Sequence, residues 1–557
     1  MNPIHTFALA SVALAACSYP APVPRPAPAE LARAESLYAD LRSMRDRIDV
    51  NLEVGHTGGA EAPPFAALVT SHNAARSDLA RSLATVDSAS LRADDARALG
   101  TMRRTLARDL GPVAAPTASP ARAAETEPAC DYDARAVAAA PKGLDSLRKR
   151  IYACYGWAQS HLVAGGVTTD RLSLFGALGR TESRELRRKL FLSLDPVWRS
   201  VNRDNRPESP YRLLIALEVK ERGNAEPPAA AQARASGVPP DSLEGWLLRI
   251  LETWREVNPD SLIEPWDWFY LTGRTSRTLS PRVPLKRLAS LNREVYRSLG
   301  ADPEALDVQY DLAPREGKTP VAYCTFGGRP RFINGRWRKG RPWVFATYRT
   351  GGLDNLNELL HETGHAVHIA AIRSRPAFND WPDSDPFTEA VAEFVALDVY
   401  EPAWQQHWLG DSVPLADGLR SRYGGIVFDV AWALFEMRMQ RDPGADPNQL
   451  WTRLTGDYLR IRPHPELSWW AMRGQLVDAP GYMMNYAAGS ILIGAIRART
   501  HAVHGQFMTG DSTWYSWVAS RLYRFGLERP TRQVIEDFLG GPVSPAALLA
   551  DLRRINP

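Results

Sequence analysis

Along most of the chain apolar residues recur every three to four positions, and that spacing predicts helices. Leu37, Leu41, Met44 and Ile48 form one stripe and Leu99, Met102, Leu106 and Leu110 another, so residues 30–110 read as an N-terminal helical region, a possible cap. Residues 172–217 and 243–257 carry further apolar faces. Strand patterns are confined to 319–326 and 341–348, β-rich runs parted by turns containing Gly and Pro. Residues 111–129, rich in Ala and Pro, read as a linker, and 130–557 as one large domain. The expected fold class is mostly α with a small β-sheet. At 557 residues, 45% of them hydrophobic, the chain is long enough to bury a sizeable core and is not disordered. Its 17 tryptophans are expected to pack between helices.

The N-terminus departs from this pattern. Residues 4–16 are apolar but too few to span a bilayer, and they sit where a secretory h-region belongs. They end in Leu14-Ala15-Ala16-Cys17, which resembles a bacterial lipobox, so 1–17 reads as a lipoprotein signal with Cys17 the lipid-modified residue. The n-region carries no Lys or Arg, a departure from the usual signal. Residues 18–29, alternating Pro and Ala, read as an extended tether. The expected location is the bacterial cell envelope, on the periplasm-facing outer membrane. Export permits a disulfide; Cys130 and Cys154 are the preferred pair, with Cys324 free. A net charge of +4 with no Lys/Arg block excludes a nucleic-acid partner.

Candidate chemistry concentrates in His361-Glu362-Thr363-Gly364-His365. Leu356, Leu359, Leu360, Ala366, Val367 and Ala370 flank it at helical spacing, between Gly351-Gly352 and Pro376. Four residues apart on a helix, the two imidazoles stand about 5–6 Å apart at Cβ, within reach of one Zn²⁺ at about 2.0–2.1 Å. Glu362 projects beside them as a general base toward a water. A third ligand is expected from the next helix, where Asp385 reads as N-cap, Pro386 as first residue and Glu389 as the ligand in the first turn. Two His and one Glu leave a fourth position open, as catalytic zinc sites do.

The pair HETGHAVH and PFTEAVAEFVALDVYEP resembles the zinc site of the gluzincin peptidases, in particular the angiotensin-converting-enzyme and thimet-oligopeptidase/oligoendopeptidase families. The resemblance implies a two-lobed helical zincin with a deep cleft, one Zn²⁺ on His361, His365 and Glu389, and Glu362 as base. It implies that Glu393 orients a ligand histidine, and that an edge strand at 321–326 pairs with substrate. His368 is expected to be a core or supporting histidine. The run from Trp469 to Ser490 resembles the segment that supplies the catalytic tyrosine, which makes Tyr486 the oxyanion donor and Tyr482 the alternative. Gln475 and Leu476 stand where those families carry a histidine, the nearest upstream one being His464. Glu264-Pro-Trp-Asp-Trp resembles a family segment to which no catalytic role is assigned. The expected activity is hydrolysis of short peptides by a monomer. The rivals are a non-catalytic peptide-binding lipoprotein and a zinc amidase acting on cell-wall peptide.

Overall fold

The helical stripes of the N-terminal region become three helices, α1 (Ala29–Gly55), α2 (Ala62–Thr85) and α3 (Ala93–Arg108). The structure, a computed structural model, describes residues 28–55, 62–113, 127–258, 262–315, 318, 321–333 and 336–557. The expected signal, Cys17 and the tether up to residue 27 lie outside the described residues, as do 114–126 of the expected linker and Thr319-Pro320. Among the described residues no helix is long and apolar enough to cross a membrane.

The chain is mostly helical with little strand. One apolar core reaches from Tyr132 to Ile555. At its centre Phe428, Trp432, Trp451 and Trp469 interlock, with ring centroids 4.5–5.8 Å apart. A second core belongs to the N-terminal helices: Leu41, Leu79, Leu99 and Met102 bury against one another, and Ala377 and Phe378 of the body complete it. Charged pairs surround this junction. Arg329, buried, donates to Asp46 (2.9 Å) and Asp380 (2.8 Å), and Arg375 donates to Glu35 (2.8 Å) and Asp95 (3.0 Å).

The predicted β-rich runs shorten to Tyr323–Phe326 and Pro342–Phe345, which pair antiparallel with Cys324 opposite Val344. Gln309–Asp311 adds a parallel strand on the other side, so Tyr323–Phe326 is an edge of the three-stranded sheet. Strand structure is not confined to this region, as the sequence pattern had implied. Leu162–Ala164 and Val167–Thr169 form a hairpin whose Gly165-Gly166 turn has φ of 59° and 81°, which only a Gly-Gly pair adopts cheaply. Cys130 and Cys154 form the expected disulfide, and Cys324 is free.

Candidate metal centre

The HETGH segment lies in a helix, Leu353–Ala371, whose buried face carries Leu356, Leu359, Leu360 and Val367. The ring centroids of His361 and His365 are 4.8 Å apart. The next helix, Asp385–Ala396, starts one residue earlier than the sequence suggests: Ser384, not Asp385, is the N-cap, its Oγ accepting from Phe387 N at 3.3 Å. Asp385 then occupies the first helical position, where its charge suits the positive end of the helix. The two helices meet at Gly364. A Cβ there would lie 2.5 Å from the carbonyl oxygen of Ala392, so only glycine allows this approach.

That approach brings Glu389 Oε2 within 3.6 Å of His361 Nε2. One ligand atom each from His361, His365 and Glu389 lies within 4.8 Å of the others, a group that could hold a metal ion. His361 Nδ1 is held by Glu393 at 2.9 Å, which leaves Nε2 for the ion. Glu362 is buried beside them, its Oε2 without a donor. Burial disfavours a charged imidazole at His361, but Glu393, Glu362 and Glu389 outweigh it and carry the pKa to about 10. Burial raises Glu362 to about 7, with Glu389, Glu358 and Glu393 adding to the rise against His361. Glu389 is raised by burial, and His365 is lowered by burial and the neighbouring His361. The carboxylates thus stabilise a positive charge at His361 where a cation would sit, and the donor set of two imidazoles and a carboxylate suits Zn²⁺.

A pH dependence follows. An ion on His361 must displace its proton at any pH below about 10. Metal affinity is expected to climb about tenfold per pH unit between pH 7 and 9, measured by competition with a chelator of known protonation. A flat profile would mean that the imidazole is neutral without the ion.

Behind the group lies a cavity of ≈ 190 Å³ whose lining includes Glu389, Glu393, Tyr400, Asp429 and Tyr486. Tyr486 stands one turn into the helix Met483–His504, and the rings of Tyr482 and Tyr486 are 5.6 Å apart, edge to face. Burial, then the charge of Glu389, holds the Tyr486 hydroxyl well above the ordinary phenol range and Tyr482 at about 12. Both remain protonated donors.

Asp429 and Arg473 were not anticipated. Arg473 pairs with Asp429 and lies 5.8 Å from the Tyr486 ring centroid. The signal for Asp429 was present, a lone acid within the apolar run Ile426-Val-Phe-Asp-Val-Ala-Trp. His464 is elsewhere engaged, with Nε2 on Glu264 (2.8 Å) and Nδ1 on Glu466 (2.7 Å). Leu476 is buried in the core, and neither it nor Gln475 lines the cavity. His368 is a core histidine among the rings of Trp381, Phe387 and Tyr523, and burial lowers its pKa to about 3. Asp267 of the Trp-Asp-Trp segment forms a buried pair with Arg187.

The tyrosine helix is anchored from below. Glu436, fully buried, accepts from Gly481 N at 2.6 Å, just before Tyr482. Burial raises its pKa to about 8 against Gly481 N–H. Because this folded value exceeds the unfolded one, the group costs no stability below about pH 4.5 and destabilises increasingly as pH climbs to about 8. Glu436→Gln is expected to remove about 3–5 kcal/mol of that decline, seen as a flatter plot of Tm against pH; an unchanged slope would sink the assignment.

No protein-family model matches the chain, and no curated protein matches it. Among solved structures, one described as "The Structure of CHT" aligns over 94% of this chain and 99% of its own, with a TM-score of 0.57 and 12% identity. At that identity the likeness is one of fold.

Proposed function

We propose that the chain is a zinc-dependent peptidase of the gluzincin type that hydrolyses short peptides, its site lying in a cleft between two helical lobes. The observation that carries this reading is the convergence of His361, His365 and Glu389 beside a buried Glu362 whose Oε2 has no other partner. His361, His365 and Glu389 would hold the ion. Bound zinc would supply a Lewis acid that polarises a carbonyl and acidifies water. Glu362, with a pKa near 7 in the metal-free chain, takes the proton from the attacking water and returns it to the leaving amine. Glu393 fixes the His361 ring through Nδ1. The Tyr486 hydroxyl donates to the developing oxyanion, with Tyr482 beside it; a donor of this kind contributes about 2.7–4 kcal/mol. The free edge at Tyr323–Phe326 offers backbone donors and acceptors to an extended peptide. In this reading the protein works in the cell envelope, tethered through Cys17.

The test is cleavage of a mixed library of short peptides by purified protein, with zinc measured on the same sample. Cleavage with one zinc per chain is the expected result. Bound zinc with every peptide intact would overturn the peptidase and favour the binding lipoprotein or a cell-wall substrate.

A further inference from the structure

A groove of ≈ 790 Å³ runs between the early turns of α1 and the segment that leaves the HETGH helix. Four arginines line it. Two are neutralised: Arg331 pairs with Asp40, and Arg375 with Glu35 and Asp95. The other two, Arg373 and Arg524, are exposed and have no carboxylate partner among the described residues. They arise from one point, because Arg373 N donates to Arg524 O at 2.8 Å. The Arg373 guanidinium lies 5.6 Å from the ring centroid of Trp337, which lines the same groove. Ser374, next to Arg373, also lines the groove but is only 7% exposed, its hydroxyl turned away from solvent.

We infer that this groove binds a phosphate group, with Arg373 and Arg524 as forked donors. A phosphate, carrying up to two negative charges when free or a monoester and one as a diester, matches two unpaired guanidinium groups, and its tetrahedral oxygens accept from several directions at once. A phosphate here has two sources. It comes free or on a soluble ester, or it belongs to a membrane lipid headgroup, since α1 follows the tether expected to join the chain to its lipid anchor.

Calorimetric titration of the full chain with inorganic phosphate tests the site. It is run beside Arg373→Ala/Arg524→Ala and the charge-matched control Arg499→Ala/Arg553→Ala. The expected result is saturable binding, weakened at least about tenfold in the groove double variant and unchanged in the control. Co-sedimentation with vesicles of phosphatidylcholine, alone or with phosphatidylglycerol, separates the sources. Vesicle binding that inorganic phosphate displaces assigns the headgroup; phosphate binding without vesicle binding assigns the soluble anion. Absence of binding to both probes, or equal weakening in the groove and control variants, overturns the site.

Discussion

Glu362→Gln is expected to keep one zinc per chain and to lose peptide cleavage by about a thousandfold in kcat, within the range of about 10²–10⁴ that a positioned general base contributes. Glutamine has the same shape, and Glu362 is not among the three residues grouped as ligands, so metal binding and packing are preserved. What disappears is the proton acceptor. Glu362 suits that task because burial, aided by Glu389, Glu358 and Glu393, lifts its carboxyl to about 7, where a base is still ionised near neutral pH yet holds a proton well. Steady-state kinetics and metal analysis on the same preparation decide the matter. A variant retaining a tenth or more of the parent rate would remove Glu362 from the mechanism.

Gly364→Ala is expected to damage the metal centre through a single methyl group. Its Cβ would fall 2.5 Å from Ala392 O and 2.8 Å from Ala392 Cα, both backbone atoms that no side-chain rotation can move away. The helix carrying Glu389 and Glu393 must therefore retreat. On its far side it meets Gly489, where an added Cβ would lie 3.0 Å from Pro386 O, so little room exists to retreat into. Overpacking of this kind costs about 1–3 kcal/mol. Metal donors tolerate displacements of only about 0.2 Å, so zinc affinity is expected to fall about 10–100-fold, as it does when groups supporting a metal ligand are lost. Gly245→Ala is the counterpart: it lies within the helix Pro240–Val257 with no atom near its would-be Cβ, and is expected to stabilise by about 0.5–1 kcal/mol. Thermal unfolding and chelator competition on the two variants check both, and parental zinc affinity in Gly364→Ala would refute the argument.

Much of this site was legible because its chemistry is local. The i, i+4 histidines declare a shared face at once, and the apolar spacing around them declares the helix. Glu389 was reachable because the second helix follows within a short loop. The contribution of Gly364 depends on where a neighbouring helix lies, which no local spacing encodes. Asp429 and Arg473 stand 44 residues apart in sequence and meet only when their elements pack. His464 shows the opposite failure: the chain contains a histidine near the expected place, but Glu264 and Glu466 claim both its ring nitrogens. The shift of the cap from Asp385 to Ser384 reflects two good capping residues in succession, a choice that turns on backbone angles rather than composition.

The ion pairs around Arg329 bear on what counts as a unit of this molecule. Its guanidinium is buried and answers to Asp46 on α1 and Asp380 on the body, while Arg42 of α1 reaches the same Asp380. Asp380 immediately precedes Trp381, whose ring meets His365 edge-on at 5.7 Å. Deleting the N-terminal helices would take Asp46 and Arg42 out of this cluster, leaving Arg329 with Asp380 and the Asn379 carbonyl alone, and would uncover a junction that adjoins the neighbour of His365. The Ala/Pro stretch that parts the two regions in sequence is thus no boundary between independently packed parts. The helix α1 and the body share Asp46, Arg329 and Asp380, so a substitution at any of the three acts on both sides of the junction at once.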